Sequence, residues 1–166
     1  MVDYLWTPWR YSYVSSAPAV TTSDTCLFCR MTGAAQDDAA NLVVLRAEKN
    51  FVVLNRYPYN NGHLMIAPYE HVATLADAAT STLEEMMRLG QQMEKTLRSL
   101  YRPDGLNLGL NIGHSAGAGV AGHIHLHVLP RWTGDTSFMT TVGETRVLPE
   151  ELAVTRQRLL KELTGQ

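Results

Sequence analysis

Hydrophobic and polar positions alternate with two different periods along the chain. "LVVLRA" (42–47), "FVVLNR" (51–56) and "HLMIAP" (63–68) are short apolar runs rich in β-branched residues. "EKN" divides the first two, and the turn-forming "YPYNNG" precedes the third. This spacing predicts three strands in quick succession, paired antiparallel. A helical period follows. Ser81 and Glu84 read as a capping box ahead of an apolar stripe at Leu83, Met86, Met87, Met93, Leu97 and Leu100. That helix must end before Pro103. "LNLGLNI" (106–112) alternates like a fourth strand, and "HIHLHVL" (123–129) like a fifth, with a Gly-rich loop between them. Pro149, Glu150 and Glu151 open a last helix with Leu152, Leu159, Leu160 and Leu163 on one face, closed by Gly165. Strands, then a helix, then two more strands predict an α+β fold: one five-stranded antiparallel sheet with helices packed on it.

The remaining stretches set the organisation. Residues 1–24 are rich in Tyr, Trp, Pro, Ser and Thr without a clear period, and read as an extended arm. Residues 25–135 form the domain, and 136–166 a C-terminal extension carrying the last helix. "AAQDDAAN" (34–41) reads as a polar loop. Of 166 residues, 45% are hydrophobic and 18% charged, which fits a globular core. A net charge of −2 gives no field that recruits a nucleic acid, so an anion needs a local site. No apolar run is long enough to span a membrane. The start of the chain lacks a basic leader followed by an apolar block, and the two cysteines are too few for a disulfide framework, so the chain is expected to be cytoplasmic.

Half of the six histidines stand at every second position, His123, His125 and His127. In a strand they share one face, with Ile124, Leu126 and Val128 on the other. Three imidazoles in register suit either a metal or chemistry on phosphate. The preceding loop, with Gly113, Gly117, Gly119 and Gly122, can bring successive backbone amides to an anion. Cys26 and Cys29 form a C-x-x-C, which points to metal or redox chemistry.

"HIHLHVL" resembles the signature of the histidine triad superfamily of nucleotide hydrolases and transferases. "CLFC", "FVVLNRYPYNNGHLMIAPYEH" and "NIG…AGAGVAGHIHLHVLPRW" fall in the order and spacing of that family, over roughly residues 25–132. The "YLWTPWR" arm and "PRWTGDTSFM" tail are similar to its bacterial diadenosine tetraphosphate phosphorylase branch, and the whole is also similar to the fragile-histidine-triad-like hydrolases. The resemblance implies that His125 is the nucleophile, forming a nucleotidyl-histidine, with His127 assisting at the phosphate. It implies that His63 orients the triad and that Asn55 grips the ribose. Phe28 and Met31 fall where relatives line the base pocket, although both also suit an ordinary core. Asn111 would face the phosphate. Gly119 and Val120 stand where many relatives carry Gln and Ser. Cys26, Cys29, His71 and His123 would hold a structural zinc. His114 matches no role, and a solvent-exposed loop position is expected for it.

The implied activity is phosphorolysis of diadenosine tetraphosphate to ATP and ADP, with inorganic phosphate as acceptor. The alternatives are hydrolysis, phosphoramidase activity, a non-catalytic nucleotide-binding module or a zinc-binding regulatory domain. Arg131 is expected to supply charge for the acceptor, and Trp132 to wall the pocket. A homodimer joined edge to edge is implied, or a tetramer through the aromatic arm (Tyr4, Trp6, Trp9, Tyr13).

Overall fold

The structure is a computed structural model that describes residues 26–33, 35–137 and 148–165. The arm and residues 138–147 of the extension lie outside these. Five strands form one antiparallel sheet: β1 (Val43–Arg46), β2 (Asn50–Leu54), β3 (Leu64–Pro68), β4 (Gly105–Leu110) and β5 (Leu126–Arg131), in spatial order β1-β2-β3-β5-β4. α1 (Leu27–Arg30) and α2 (Asp38–Asn41) precede the sheet, α3 (Thr80–Tyr101) links β3 to β4, and α4 (Leu152–Thr164) closes the described chain. The stretch read as a polar loop at 34–41 is therefore partly helical, with a 3-10 turn at Ala35–Asp37 running into α2.

The two faces of the sheet carry different cores. On one, Val52, Leu54, Leu64, Ile66, Leu126 and Val128 pack against Met86, Leu89, Met93 and Leu97 of α3 and Leu159 of α4. On the other, Phe51, Val53, Met65 and Ala67 meet Cys26, Phe28 and Met31. The helices α3 and α4 cover the first face as expected, while the short α1 segment lies over the second. Period-two side-chain alternation sorts these residues, and burial of each apolar side chain contributes roughly 1.5–3 kcal/mol.

Three local expectations differ from the structure. The cap of α3 is Ala79, with no side-chain hydrogen bond, and Ser81 and Glu84 are exposed. The carboxylate that matters is one residue further on. Glu85 is buried and accepts hydrogen bonds from the Glu48 and Lys49 amides at 3.1 and 2.9 Å and from Asn50 Nδ2 at 2.8 Å. Burial pushes its pKa up, but these three donors more than offset that and hold it below the usual value. It thereby clamps the β1–β2 turn to α3. Met87, placed on the apolar stripe, is 59% exposed. The fifth strand begins at Leu126, because β3 pairs with it only through Leu64–Ile66. Upstream the chain lies outside the ladder and is held by Ile124 N–H donating to Val72 O at 2.8 Å.

Candidate active site

The alternation predicted for the histidine run holds although its first half lies outside the ladder. Ile124, Leu126 and Val128 enter the α3-side core, and the three imidazoles emerge on the opposite face. This face is not open throughout. His123 is fully buried and His125 nearly so, both against Phe28, whose ring centroid lies 5.2 and 4.8 Å from theirs. His127 is half-buried, with Gly109 of β4 opposite it in the ladder, where no side chain crowds it.

Each ring has a different partner, and the partner fixes its tautomer. A carbonyl can only accept. His125 Nδ1 therefore donates to His123 O at 2.9 Å, and neutral His125 carries its lone pair on Nε2. The Tyr59 amide donates to His63 Nδ1 at 3.1 Å, so the His63 proton sits on Nε2. That Nε2–H donates to His127 Nδ1 at 2.9 Å, and the His127 proton is left on Nε2. The rings of His125 and His127, 4.8 Å apart between centroids, thus present a lone pair and an N–H side by side. Burial lowers the pKa of His125, and lowers that of His127 to about 4 with help from neighbouring His125. Both are neutral at pH 7. The pair can attack an electrophilic phosphorus and stabilise an oxygen on it.

Behind the pair lies a second cluster. His123 Nε2 donates to Pro68 O at 2.9 Å, so its Nδ1 lone pair faces Cys26 Sγ at 3.4 Å and Cys29 Sγ at 3.6 Å. His71 Nδ1 is 3.2 Å from Cys29 Sγ. The four donor atoms lie within 4.8 Å of one another and form a candidate metal site. Neither cysteine is in a disulfide. A ring nitrogen tied to a carbonyl while the other faces the donors is the usual outer-shell arrangement of a histidine ligand.

The remaining candidates are placed as follows. Asn55 lies beside His63, with Nδ2 3.4 Å from His63 Nδ1, while its Oδ1 accepts the Tyr57 amide at 2.9 Å. Phe28 and Met31 are buried in the second core. Asn111 follows β4 and is half-buried. Val120 packs against the second core, and Gly119 is exposed, with nothing within 4 Å of where a Cβ would stand. His114 is half-buried rather than exposed, and its enclosed Nδ1 has no hydrogen-bond partner among the described residues. Trp132 is half-buried beyond β5. Arg131 is not available as expected, because its Nε and Nη2 donate to Asp135 at 2.6 and 2.8 Å and its Nη1 to Asn107 at 2.8 Å. The sequence reading gave no part to Asp135 or Asn60, which organise the turn before His63. The available signal was the i, i+4 spacing of Arg131 and Asp135 within "PRWTGD".

Comparisons with known proteins identify the family. The HIT domain matches residues 36–134. A Mycobacterium tuberculosis protein named AP-4-A phosphorylase is 41% identical over 98% of this chain and 85% of its own length. Among solved structures, a Zn-bound histidine triad family protein from Mycobacterium smegmatis superposes with a TM-score of 0.70 at 29% identity, covering 87% of this chain and 96% of that one. A hypothetical histidine triad nucleotide-binding protein from Sulfolobus tokodaii gives 0.68 at 26% identity, covering 84% and 93%. Among the described residues no helix is long and apolar enough to cross a membrane. The domain match over residues 36–134 and the 41% identical relative, together with a histidine triad on a sheet like that of these solved structures, show that this chain belongs to the HIT-domain family.

Proposed function

We propose that this chain is a nucleotidyltransferase that cleaves dinucleoside polyphosphates and passes the nucleotidyl group to inorganic phosphate. The observation that carries the reading is the pairing of a lone pair on His125 Nε2 with a proton on His127 Nε2. His125 Nε2 attacks the α-phosphorus, a P–N bond forms and the P–O bond to the departing polyphosphate breaks. His127 Nε2–H hydrogen-bonds the oxygen on which charge develops. A phosphate oxygen then attacks the same phosphorus, the P–N bond breaks and His125 recovers its lone pair. From diadenosine tetraphosphate the products are ATP and ADP. The name of the Mycobacterium tuberculosis relative supports this choice of substrate and acceptor. Asn55 would meet the ribose, while Phe28 and Met31, both deeply buried, offer the base an apolar backing. In the loop, the Ala116, Gly117 and Ala118 amides bond internally and are not available to the acceptor phosphate, whose contact we assign to residues 119–122 next to the triad.

Cys26, Cys29, His71 and His123 would hold zinc in a structural role. Tetrahedral bonds of about 2.3 Å to sulfur and about 2.0–2.1 Å to nitrogen set each sulfur about 3.6 Å from each nitrogen. Three of the four sulfur–nitrogen separations, at 3.2, 3.4 and 3.6 Å, lie close to that figure, and all four donor atoms lie within 4.8 Å of one another. A second copy of the chain would add to the sheet at β4. This edge strand exposes Leu108, Ile112 just after it and Met87 of α3 are exposed as well, and an unpaired apolar edge favours association.

The test is incubation with diadenosine tetraphosphate, with and without phosphate. ATP plus ADP formed only with phosphate supports the reading. ATP plus AMP at the same rate in both makes the chain a hydrolase. His125→Ala should fold and lose nearly all turnover, and a variant that retains most of it removes the mechanism. Gly119→Gln should shift products toward AMP by filling the acceptor's space.

A further inference from the structure

We infer that Asp135 is a positioning residue that fixes the tautomer of His127 through Asn60 and His63. Its kinetic consequence rests on the function proposed above, and its structural consequence does not. The Asp135 side chain is 10% exposed. Its Oδ2 accepts Arg131 Nε at 2.6 Å, Asn60 Nδ2 at 2.7 Å and the Trp132 amide at 3.1 Å, and its Oδ1 accepts Arg131 Nη2 at 2.8 Å. The two-point pair with Arg131 sets the plane of the carboxylate, and Arg131 belongs to the same strand as His127. The carboxylate is thus registered to the strand that carries the reacting face.

Asn60 transmits that register. Its Nδ2 also reaches Pro130 O at 3.3 Å, and its own carbonyl accepts the His63 amide at 3.2 Å. Asn60 is therefore tied to β5 by its side chain and to His63 by its backbone. The residue before it, Tyr59, supplies the amide that donates to His63 Nδ1. Gly62 turns the chain with φ +76°, and a Cβ there would lie 3.1 Å from Leu97, so the turn is packed as well as hydrogen-bonded. Asn55 Nδ2, 3.4 Å from His63 Nδ1, is a second and longer donor to the same nitrogen; should the Tyr59 amide slip, that contact alone remains and His63 can move its proton to Nδ1. His63 Nε2 would then face His127 Nδ1 as an acceptor, the His127 proton would move to Nδ1, and a lone pair would point toward the phosphate in place of an N–H. Asp135 touches no reacting atom, and its effect runs through the choice of tautomer.

The experiment uses the full chain with Asp135→Ala, Asn60→Ala and the double variant. Nitrogen-15 NMR of the histidine rings reads the tautomer of His127, and steady-state kinetics with diadenosine tetraphosphate and phosphate read kcat and KM. We expect the proton fixed on Nε2 in the wild type and both tautomers in the variants. Each single variant should lose on the order of tenfold to a hundredfold in kcat with KM little changed, the scale of a small displacement at a reacting group. The double should be no slower than the slower single, because both act on one element. Asn60→Ala leaves the Asp135–Arg131 pair intact and reports even where Asp135→Ala unfolds. Variants that keep the wild-type tautomer, or losses that multiply in the double, overturn the inference. A wild type with no turnover of the dinucleotide overturns the proposed function instead, and the NMR comparison still decides this one.

Discussion

Removing the metal from the Cys26, Cys29, His71 and His123 cluster should unsettle both the fold and the reacting face. The four residues join parts of the chain that are otherwise far apart: Cys26 caps α1 and Cys29 lies within it, His71 follows β3, and His123 precedes β5. Without an ion, the Cys26 and Cys29 sulfurs and the His71 and His123 nitrogens are left as a set of weak thiol–imidazole contacts at 3.2–3.6 Å. If free zinc stands a thousandfold above its dissociation constant, linkage gives about 4 kcal/mol of stability. For a chain of this size each kcal/mol moves the melting temperature by about 2–4 °C, so chelation should lower it by about 8–16 °C. The active face is affected through His123, whose carbonyl holds His125 Nδ1. Turnover should therefore fall with the metal and return when zinc is restored. The assay is metal analysis of protein purified without chelator, calorimetry before and after chelation, and titration of the two thiols. Protein lacking metal, with both thiols reacting at once and a melting temperature indifferent to chelator and zinc, would refute the reasoning.

Two further outcomes test other parts of the structure. The pKa of His127 falls from 6.5 to about 4 on folding, because burial and His125 disfavour its charge. The unfolded chain then binds more protons between those values, so stability should fall as pH drops from about 6.5 toward 4 and be unaffected by this group above that range. An NMR titration that finds His127 charging near 6.5 contradicts this. Leu108→Glu places a charge on the exposed edge strand and should convert a dimer to monomers in sedimentation, whereas a wild type that is already monomeric removes the edge-to-edge assembly.

Much of this fold was legible because strand and helix periods differ and the strands are short. Five strands and both longer helices fall where the hydrophobic pattern puts them, within a few residues. What the pattern missed depends on tertiary partners. A capping box at Ser81 and Glu84 is locally sensible, but Glu85 faces the β1–β2 turn and meets three donors there, which no local rule reveals. The start of the fifth strand was misplaced because the alternation of apolar and histidine positions persists through His123 and Ile124, although pairing with β3 stops at Ile66 opposite Leu126. In the site, the spacing of two placed the imidazoles on one face. The i, i+4 spacing of Arg131 and Asp135 hinted at their pair, but nothing local showed that Asn60 would join it, since the turn carrying Asn60 and the strand carrying Arg131 meet only in the fold.

That limit bears on how one run of histidines supports three roles. Spacing makes His123, His125 and His127 neighbours, yet it gives them the same chemistry. The difference comes from the second nitrogen of each ring. Pro68 O takes the proton of His123 and turns its lone pair toward two sulfurs. The carbonyl of His123 takes the proton of His125 and turns its lone pair the other way. His63, itself set by the Tyr59 amide, donates a hydrogen bond to His127 Nδ1 and so leaves the His127 N–H at the far edge. Burial lowers the pKa of all three rings, which keeps them neutral and makes those choices possible, since a charged imidazole donates from both nitrogens and has no lone pair for a metal or a phosphorus. On the proposed reading, ligand, nucleophile and donor are thus one side chain in three hydrogen-bonding environments. Exchanging roles between neighbouring histidines would require moving Pro68, the strand junction or the Asn60 turn rather than altering the triad itself.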